Sequence, residues 1–402
     1  MRPFEGRRVL LGVTGGIASY KTAWLARLLA QAGAEVDVVL TKSAREFIGA
    51  VTFEALTGRP VQTELVAEGH ALDHIKLARS AALIVVAPAT ADFLSRAASG
   101  RSDDLLTACL LAADAPVLLV PAMNDRMWAH RQTGENVAHL RSLGYTVLDP
   151  EAGPLASPQE GVGPGRMPDP ERILAHVGRM LEARSALAGR RVLVTAGPTR
   201  EAIDPVRFIS NHSSGKMGVA LAAAAWRRGA DVTLIAGPLA VAPPHDVRVV
   251  HVESTEEMRD AVRGEIATAD AVVMAAAPAD FRPASAANTK IKKATRPDAI
   301  ALAITDDILV TTRDARKKGA VIVGFALETD DVIAHAKEKL AAKALDLIVV
   351  NDARETGAGF GVDTNRVTIL SPNAEPAVLP LLSKADTADA ILDRVQELLR
   401  GR

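Results

Sequence analysis

A chain of 402 residues exceeds what one ordinary core organises, and two domains of roughly 150–200 residues each are the natural division. Hydrophobic residues make up 48% and charged residues 24%, a globular composition, and a net charge of -1 removes any electrostatic case for nucleic acid or a membrane surface. The single cysteine, Cys109, excludes an internal disulfide framework and fits a reducing compartment, so the chain is expected in the cytoplasm.

The segment Met1–Arg8 is short and charged and runs straight into a strand, which reads as no signal peptide. No apolar stretch approaches the ~20 residues of a membrane span. With aromatics at 3%, the core must come from Ala, Val and Leu, which suits parallel strands covered by helices. The first predicted strand is Val9–Val13, ending in Gly15-Gly16. Helical spacing follows over Ala23–Gln31 and stops at Gly33, and Val36–Leu40 is the next strand. Leu83–Ala87, Val117–Val120 and Tyr145–Leu148 repeat the pattern between helix-like segments, with Cys109 inside a buried helix over Leu105–Leu111. Asp149–Arg172, rich in Pro and Gly, is expected as a long binding or lid loop. A helix over Glu171–Arg184 and a short linker, Ser185–Gly189, close the first half.

The rhythm then restarts. Arg7-Arg8-Val9-Leu10 is echoed by Arg190-Arg191-Val192-Leu193, and Gly33-Ala34-Glu35-Val36 by Gly229-Ala230-Asp231-Val232. Further strands are predicted at Val192–Thr195, Val232–Ala236, Ala271–Ala275, Val321–Phe325 and Leu347–Val350. Val367–Leu370 is left either at an antiparallel edge or in a terminal hairpin. Strands alternating with helices give an α/β class with two tandem doubly wound domains, residues 1–184 and 190–402, joined by 185–189.

In the first half, polar groups gather at strand ends, where doubly wound sheets bind ligands. Gly15, Gly16 and Ser19 lie between a strand and a helix, an arrangement that suits an anion and equally suits a plain tight turn. Their spacing is not the G-x-G-x-x-G of dinucleotide folds. Thr41 and Ser43 end one strand, Thr90 another, and Pro121-Ala122-Met123-Asn124-Asp125-Arg126-Met127 a fourth. Asn124 can clamp a carboxylate or form a turn. His74, at the start of a predicted helix, is by itself more often structural than catalytic.

Taken in order, Gly-Gly-Ile-Ala-Ser-Tyr-Lys, His74-Ile75, Pro-Ala-Thr-Ala-Asp, Pro-Ala-Met-Asn and Gly163-Pro164-Gly165-Arg166-Met167 resemble the flavin-dependent cysteine decarboxylases, phosphopantothenoylcysteine decarboxylase above all. The resemblance implies a flavodoxin-like domain. It places FMN at Gly15, Gly16, Ser19, Thr41, Ser43, Thr90 and Met127. It makes His74 the base and Asn124 the holder of the substrate carboxylate, with Arg166 also contacting substrate. It further implies that flavin oxidises the cysteinyl thiol to a thioaldehyde, CO2 departs, and a hydride returns. One departure stands out. Many members carry a proton-donating cysteine just before Gly-x-Gly-Arg. Here the stretch reads Leu155-Ala156-Ser157-Pro158-Gln159-Glu160-Gly161-Val162-Gly163. Ser157, the candidate at that position, is a poor acid beside a thiol, so either another group or water protonates, or the final reduction is altered.

In the second half, Thr195-Ala196-Gly197-Pro198-Thr199 is a phosphate-friendly turn without a P-loop pattern. Then Ile209-Ser210-Asn211-His212-Ser213-Ser214-Gly215-Lys216-Met217-Gly218 opens an apolar helix over Val219–Trp226, an anion pocket by composition. Asp280 follows a strand end, and Asn288-Thr289-Lys290-Ile291-Lys292-Lys293 is a basic loop. A carboxylate with lysines is what a metal–triphosphate needs, although basic runs are more often solvated faces. Lys339 and Lys343 share a helix face. Asn351-Asp352 ends a strand, and Phe360–Asn365 forms a late polar turn.

This half resembles the CTP-using phosphopantothenate–cysteine ligases, with a Rossmann-like domain. The resemblance implies that Asn211 holds an acyl-cytidylate. It implies CTP contacts at Met274, Ala275, Ala276, Asp280, Lys290, Thr305, Asp306, Asp307, Ile308, Phe325, Lys339 and Lys343, with Mg2+ near Asp280. The two families together imply a fused enzyme of coenzyme A synthesis, acting on small-molecule substrates and forming homo-oligomers through trimeric N-terminal and dimeric C-terminal contacts, up to a dodecamer. Two rivals are a nicotinamide-dependent oxidoreductase on tandem Rossmann domains and a non-catalytic regulatory flavoprotein. The missing glycine fingerprint opposes the first, and retention of both His74 and Asn124 opposes the second.

Overall fold

The computed structural model describes residues 3–66, 71–157, 159–293, 299–328, 332–352, 359, 361–372 and 374–402. Pro158, Phe360 and the side chain of Asp352, named above, lie outside the described residues. The chain forms two compact units, Met1–Leu181 and Glu182–Arg402.

In the first unit the elements run β1 (Arg8–Val13), α1 (Ser19–Gln31), β2 (Glu35–Leu40), α2 (Ala50–Thr57), β3 (Val61–Gln62), α3 (Asp73–Ser80), β4 (Leu83–Ala89), α4 (Ala91–Ala98), α5 (Leu105–Leu111), β5 (Val117–Pro121), α6 (Asp125–Trp128), α7 (Arg131–Ser142), β6 (Thr146–Val147), β7 (Glu151–Pro154), β8 (Val162–Arg166) and α8 (Pro170–Leu181). The main sheet is parallel, in the order β3-β2-β1-β4-β5-β6. Without the two-residue edge strand β3 this is 2-1-3-4-5, the flavodoxin order. Successive residues of one strand feed opposite layers. Val9, Leu11 and Val13 pack in one cluster with Leu25, Leu29 and Ile173, whereas Leu10 joins Phe93, Leu106 and Cys109 in the other.

Helix α1 begins at Ser19, earlier than its apolar spacing announces, because its first turn is held by a threonine hydroxyl. The Thr22 Oγ1 donates to the Ala87 carbonyl at 2.7 Å. The stretch 149–172 corrects the expectation of an irregular loop. It holds an antiparallel hairpin, β7 with β8, and then the start of α8. In a two-stranded ribbon the outward N–H positions stay unpaired, so Pro154 and Pro164 fit without breaking the ladder.

The second unit continues with β9 (Arg191–Ala196), β10 (Glu201–Ala202), β11 (Phe208–Ile209), α9 (Lys216–Arg227), β12 (Asp231–Ala236), β13 (Arg248–His251), α10 (Thr255–Glu265), β14 (Ala271–Met274), β15 (Phe281–Pro283), β16 (Leu302–Ile304), α11 (Ile308–Thr311), β17 (Val321–Glu328), α12 (Val332–Ala342), β18 (Leu347–Asp352), β19 (Thr364–Asn365), β20 (Thr368–Leu370), β21 (Ala377–Val378), β22 (Leu382–Ser383) and α13 (Lys384–Arg400). Its large sheet runs β13-β12-β9-β14-β17-β18-β20-β21. The first six strands are parallel in the Rossmann order 3-2-1-4-5-6. Strand β20 pairs antiparallel with both β18 and β21, so it is at once near the edge and in a hairpin. Residues 185–189, expected as a linker, are part of this unit. Leu187 is fully buried, and the Ser185 hydroxyl meets Gln396 Oε1 at 2.8 Å.

The sequence echo is reproduced bond for bond. Glu35 N donates to Arg7 O at 2.9 Å, and Asp231 N to Arg190 O at 2.8 Å. Between each helix and strand stands a glycine with positive φ, Gly33 at 94° and Gly229 at 90°. At Gly229 an added Cβ would lie 3.1 Å from both Cα and Cβ of Ala188. Gly229→Ala is therefore expected to cost about 1–2 kcal/mol through backbone strain and that contact. Chemical denaturation of the intact protein measures it, and an unchanged midpoint for the second unit would contradict the account.

Candidate functional site

In the first unit the chain leaves β1 to one side for β2 and later returns to the other side for β4. A crevice opens at the carboxyl ends of these strands, where ligands of such sheets bind. Buried Thr14 fastens its two walls. Its Oγ1 donates to Pro88 O at 2.7 Å and accepts from Thr90 N at 3.1 Å. A Cβ on Gly15 would stand 2.3 Å from Ser43 Cβ, and one on Gly16 would stand 3.6 Å from Thr90 Cγ2. Gly15, Gly16, Ser43 and Thr90 therefore meet at the start of the 13-residue α1. Ser19, the first residue of that helix, has a buried Oγ with no hydrogen-bond partner among the described residues. An unmatched hydroxyl at a helix N-terminus, with glycines beside it, is a phosphate cradle by its chemistry. Thr41 plays a local part, with its Oγ1 accepting from Ala44 N at 3.3 Å in the turn that carries Ser43.

Asn124 follows β5 and caps α6. Its Oδ1 accepts from Arg126 N at 3.0 Å, which leaves the amide NH2 to face outward. That NH2 donates to Glu160 Oε1 at 3.3 Å, so the structure already shows it meeting a carboxylate. The hairpin is fixed beside it, Met123 N donating to Gly165 O at 3.0 Å. Arg166 pairs with Asp169 at 2.7 Å, and Lys21 of α1 reaches the same carboxylate at 3.0 Å. The Lys21 hydrogen bond, ahead of the neighbouring Arg166 charge, holds Asp169 below the usual carboxylate range. Ser157 Oγ accepts from Gln159 N at 3.2 Å and Ser157 O from Glu160 N at 2.9 Å, so Ser157 shapes the turn that presents Glu160. His74, second in α3, has a buried Nδ1 with no partner among the described residues. Met127 is about half exposed in α6. Cys109 is fully buried in α5, and burial, then nearby Asp104, pushes its thiol up to about 12.

In the second unit the equivalent crevice, between β9 and β14, leads into a cavity of about 320 Å³. From the sequence-predicted set it gathers Ala275, Ala276, Asp280, Phe325, Lys339 and Lys343. Met274 is buried in β14 beneath it, and Ile308 is buried at the start of α11. Thr305 and Asp306 line a smaller cavity of about 110 Å³ with Arg259 and Arg282. Asp307 pairs with Lys343 at 2.7 Å. Lys290 is exposed in its loop and does not line the large cavity. Asn211 does not itself line the cavity but stands two residues before Ser213, the first of the Ser213–Met217 stretch that does. Its Oδ1 accepts from Ser213 N at 2.9 Å and its amide donates to the Ala277 carbonyl.

The lining holds residues that motif reasoning had not assigned. Lys216 pairs with Asp363 at 2.6 Å. Lys384, only 7% exposed, donates to Gly359 O at 2.9 Å and Thr364 O at 3.3 Å. Burial, then the nearby Lys216 charge, lowers its pKa. Buried Asn351 donates to the Asn365 side chain below. Lys216 stood inside the polar motif, but Lys384 follows an apolar run and carries no motif. Four lysines, Lys216, Lys339, Lys343 and Lys384, thus line a wall where Asp280 is the acid, a polarity suited to a polyanion.

The 288–293 loop is held from outside. Buried Asp204 accepts from Val206 N, Arg207 N, the Arg207 guanidinium and Ile291 N, the last at 3.1 Å. The Arg207 hydrogen bond, with those backbone donors, keeps its carboxyl well below the usual range. A depressed folded pKa means the anchor is complete above the ordinary carboxylate value of ~3.9 and is lost as pH falls through the folded value. The Ile291 amide is therefore expected to remain protected from hydrogen exchange at pH ~4. In Asp204→Ala it is expected to exchange freely at neutral pH. Equal protection in variant and wild type would remove Asp204 as the anchor.

Residues 2–182 match the family model described as flavoprotein, and residues 187–399 the one described as DNA/pantothenate metabolism flavoprotein C-terminal domain. The coenzyme A biosynthesis bifunctional protein CoaBC of Mycobacterium tuberculosis is 48% identical over 98% of this chain and 97% of its own. The protein of that name from Vibrio vulnificus is 44% identical over 99% of this chain and 100% of its own. Among solved structures, the C-terminal domain of a coenzyme A biosynthesis bifunctional protein is 40% identical, covering 54% of this chain and all of that one with a TM-score of 0.47. The FMN-dependent cysteine decarboxylase SpaF is 31% identical, covering 45% of this chain and 99% of that one with a TM-score of 0.39.

Proposed function

The chain belongs to the family of coenzyme A biosynthesis bifunctional proteins, and from that premise we propose a division of labour between its two units. The second unit, residues 182–402, joins phosphopantothenate to cysteine at the expense of CTP. The first, residues 1–181, decarboxylates the resulting phosphopantothenoylcysteine to phosphopantetheine. The observation that carries this reading is the lysine-walled cavity at the β9/β14 crevice, lined on one side by Ser213–Met217.

A carboxylate does not react with an amine at neutral pH, so it must first be activated. Lys216, Lys339, Lys343 and Lys384 draw the CTP triphosphate, and Ala275, Ala276 and Phe325 border the same space. Thr305, Asp306, Asp307 and Ile308 receive the cytidine side, with Met274 supporting the floor. Asp280 is the acidic side chain available to a Mg2+ that arrives with the triphosphate. Transfer of CMP to the carboxylate expels pyrophosphate. Asn211, with both ends of its amide already fixed, holds the acyl-cytidylate while the cysteine amine attacks. Lys290, carried on the loop that Asp204 anchors, closes over the nucleotide.

In the first unit the residues fit FMN. Gly15, Gly16 and Ser19 with the α1 N-terminus take the phosphate, and Ser43, Thr90, Thr41 and Met127 border the remainder. When bound, FMN supplies the oxidation of the substrate thiol and the matching reduction after CO2 has left. His74 takes the thiol proton, and its buried Nδ1, without a partner among the described residues, supports that role. Asn124 grips the substrate carboxylate through its outward NH2, and Arg166 lines the approach. We further propose a cytoplasmic homo-oligomer. Exposed Trp24 and Val51 on the first unit, and Phe281 and Ile304 on the second, support contacts between copies.

The test is incubation of the purified protein with phosphopantothenate, cysteine, CTP and Mg2+, following pyrophosphate and CO2 separately. Both are expected. His74→Asn should lower CO2 release ~100-fold or more and leave pyrophosphate release intact. Asn211→Asp should still bind CTP but turn over the acyl-cytidylate poorly. Normal amide formation by the Asn211 variant, or undiminished CO2 from the His74 variant, would sink the respective assignment.

A further inference from the structure

We propose that Glu160 is the acid that protonates the substrate carbon from which CO2 departs, an inference that rests on the decarboxylase reading above. The loop between β7 and β8 is closed by Leu155 N donating to Gly161 O at 3.0 Å, and the Ser157 turn aims Glu160 back at Asn124. The Glu160 carboxylate accepts from the Asn124 amide at 3.3 Å. Because the Asn124 oxygen is committed to capping α6, this NH2 is the face that also meets the substrate carboxylate.

Two carboxyl groups thus converge on one amide whose two N–H bonds can serve one each. Two negative charges this close disfavour full ionisation, and Glu160 is the member of the pair placed to carry the proton. The substrate carboxylate is bonded to the carbon that will need a proton. Holding Glu160 beside that carboxylate therefore holds its O–H beside that carbon.

His74 takes the thiol proton, and FMN, when bound, would accept the hydride from the sulfur-bearing carbon, leaving a thioaldehyde. The carbon–carboxylate bond breaks, CO2 leaves, and its electron pair passes through the carbon chain to sulfur as an enethiolate. The Glu160 O–H then breaks, its proton bonds to the carbon that lost CO2, and the electron pair on sulfur re-forms the thioaldehyde. The hydride returns to that thioaldehyde carbon, and His74 returns its proton to the sulfur. One proton is consumed in all, and solvent-exposed Glu160 regains it from water. Cys109, sealed in the core with its thiol at about 12, is no candidate for this step.

The experiment supplies phosphopantothenoylcysteine to the flavin-loaded full chain without oxygen and weighs the product. Wild type is expected to release the saturated thiol. Glu160→Gln should lose saturated product ~100-fold, release instead an unsaturated product two hydrogens lighter, and leave the flavin bleached. CO2 release should fall less than saturated product does, and Glu160→Asp should restore part of the saturated product. Flavin content and amide formation by the second unit check that the variants fold. In a His74→Asn background, which cannot turn over, substrate binding should raise a protonated-carboxyl infrared band that the added Glu160→Gln change removes. Saturated product from Glu160→Gln at the wild-type rate overturns the proposal alone. So does an equal loss of CO2 and product, the mark of a broken substrate clamp. A wild-type protein that releases no CO2 overturns the decarboxylase reading and this proposal together.

Discussion

Both candidate sites exist because a parallel sheet has to reverse the direction in which it adds strands. Crossovers between parallel strands share one hand, so strands added to the left of the first strand place their helices on one face and strands added to the right place theirs on the other. At that first strand the two helix layers part, and the carboxyl ends of the flanking strands face an opening that no helix covers. In the first unit the opening lies between β1 and β4, in the second between β9 and β14. The same backbone geometry therefore offers two anion-friendly pockets, and side chains alone decide that they differ.

The difference is electrostatic. The first crevice is walled by hydroxyls and glycines, Thr14, Ser19 and Thr90 among them, which suits a ligand that stays. The second is walled by lysines, which are already engaged before any ligand comes. Lys216 has Asp363, Lys343 has Asp307, and Lys384 has two carbonyls. Pre-pairing holds the cations in place without burying an uncompensated charge. It also means that a polyanion enters by exchange with weaker partners.

Much of this was legible in the residues. Runs such as Val9–Val13 and Val232–Ala236 are β-branched and apolar because their strands are covered on both faces, and the Arg-Arg-Val-Leu echo marks the same turn in both units. What escaped reading depended on contacts between distant segments. The hairpin Glu151–Arg166 looked like a breaker-rich loop, since Pro and Gly disrupt a central sheet but not an isolated ribbon. Residues 185–189 looked like a linker because Ser185 and Ala186 find their partner in Gln396 of α13, two hundred residues away. Lys384 carried no motif, and its place at the cavity follows from where the last helix returns. Lys290 shows the opposite case, a residue conspicuous in the sequence that the fold leaves outside the cavity wall.

The burial of Cys109 has a consequence for the company this protein keeps. Its proposed substrates include free cysteine, and its proposed product ends in a free thiol. Both readily exchange with any accessible protein sulfur. A chain whose lone thiol is sealed in the core and held protonated offers them no partner, so neither mixed disulfides nor oxidative coupling between neighbouring copies can accumulate as the reagents age. In that sense the core placement of one small side chain makes the protein chemically silent toward the functional group it handles.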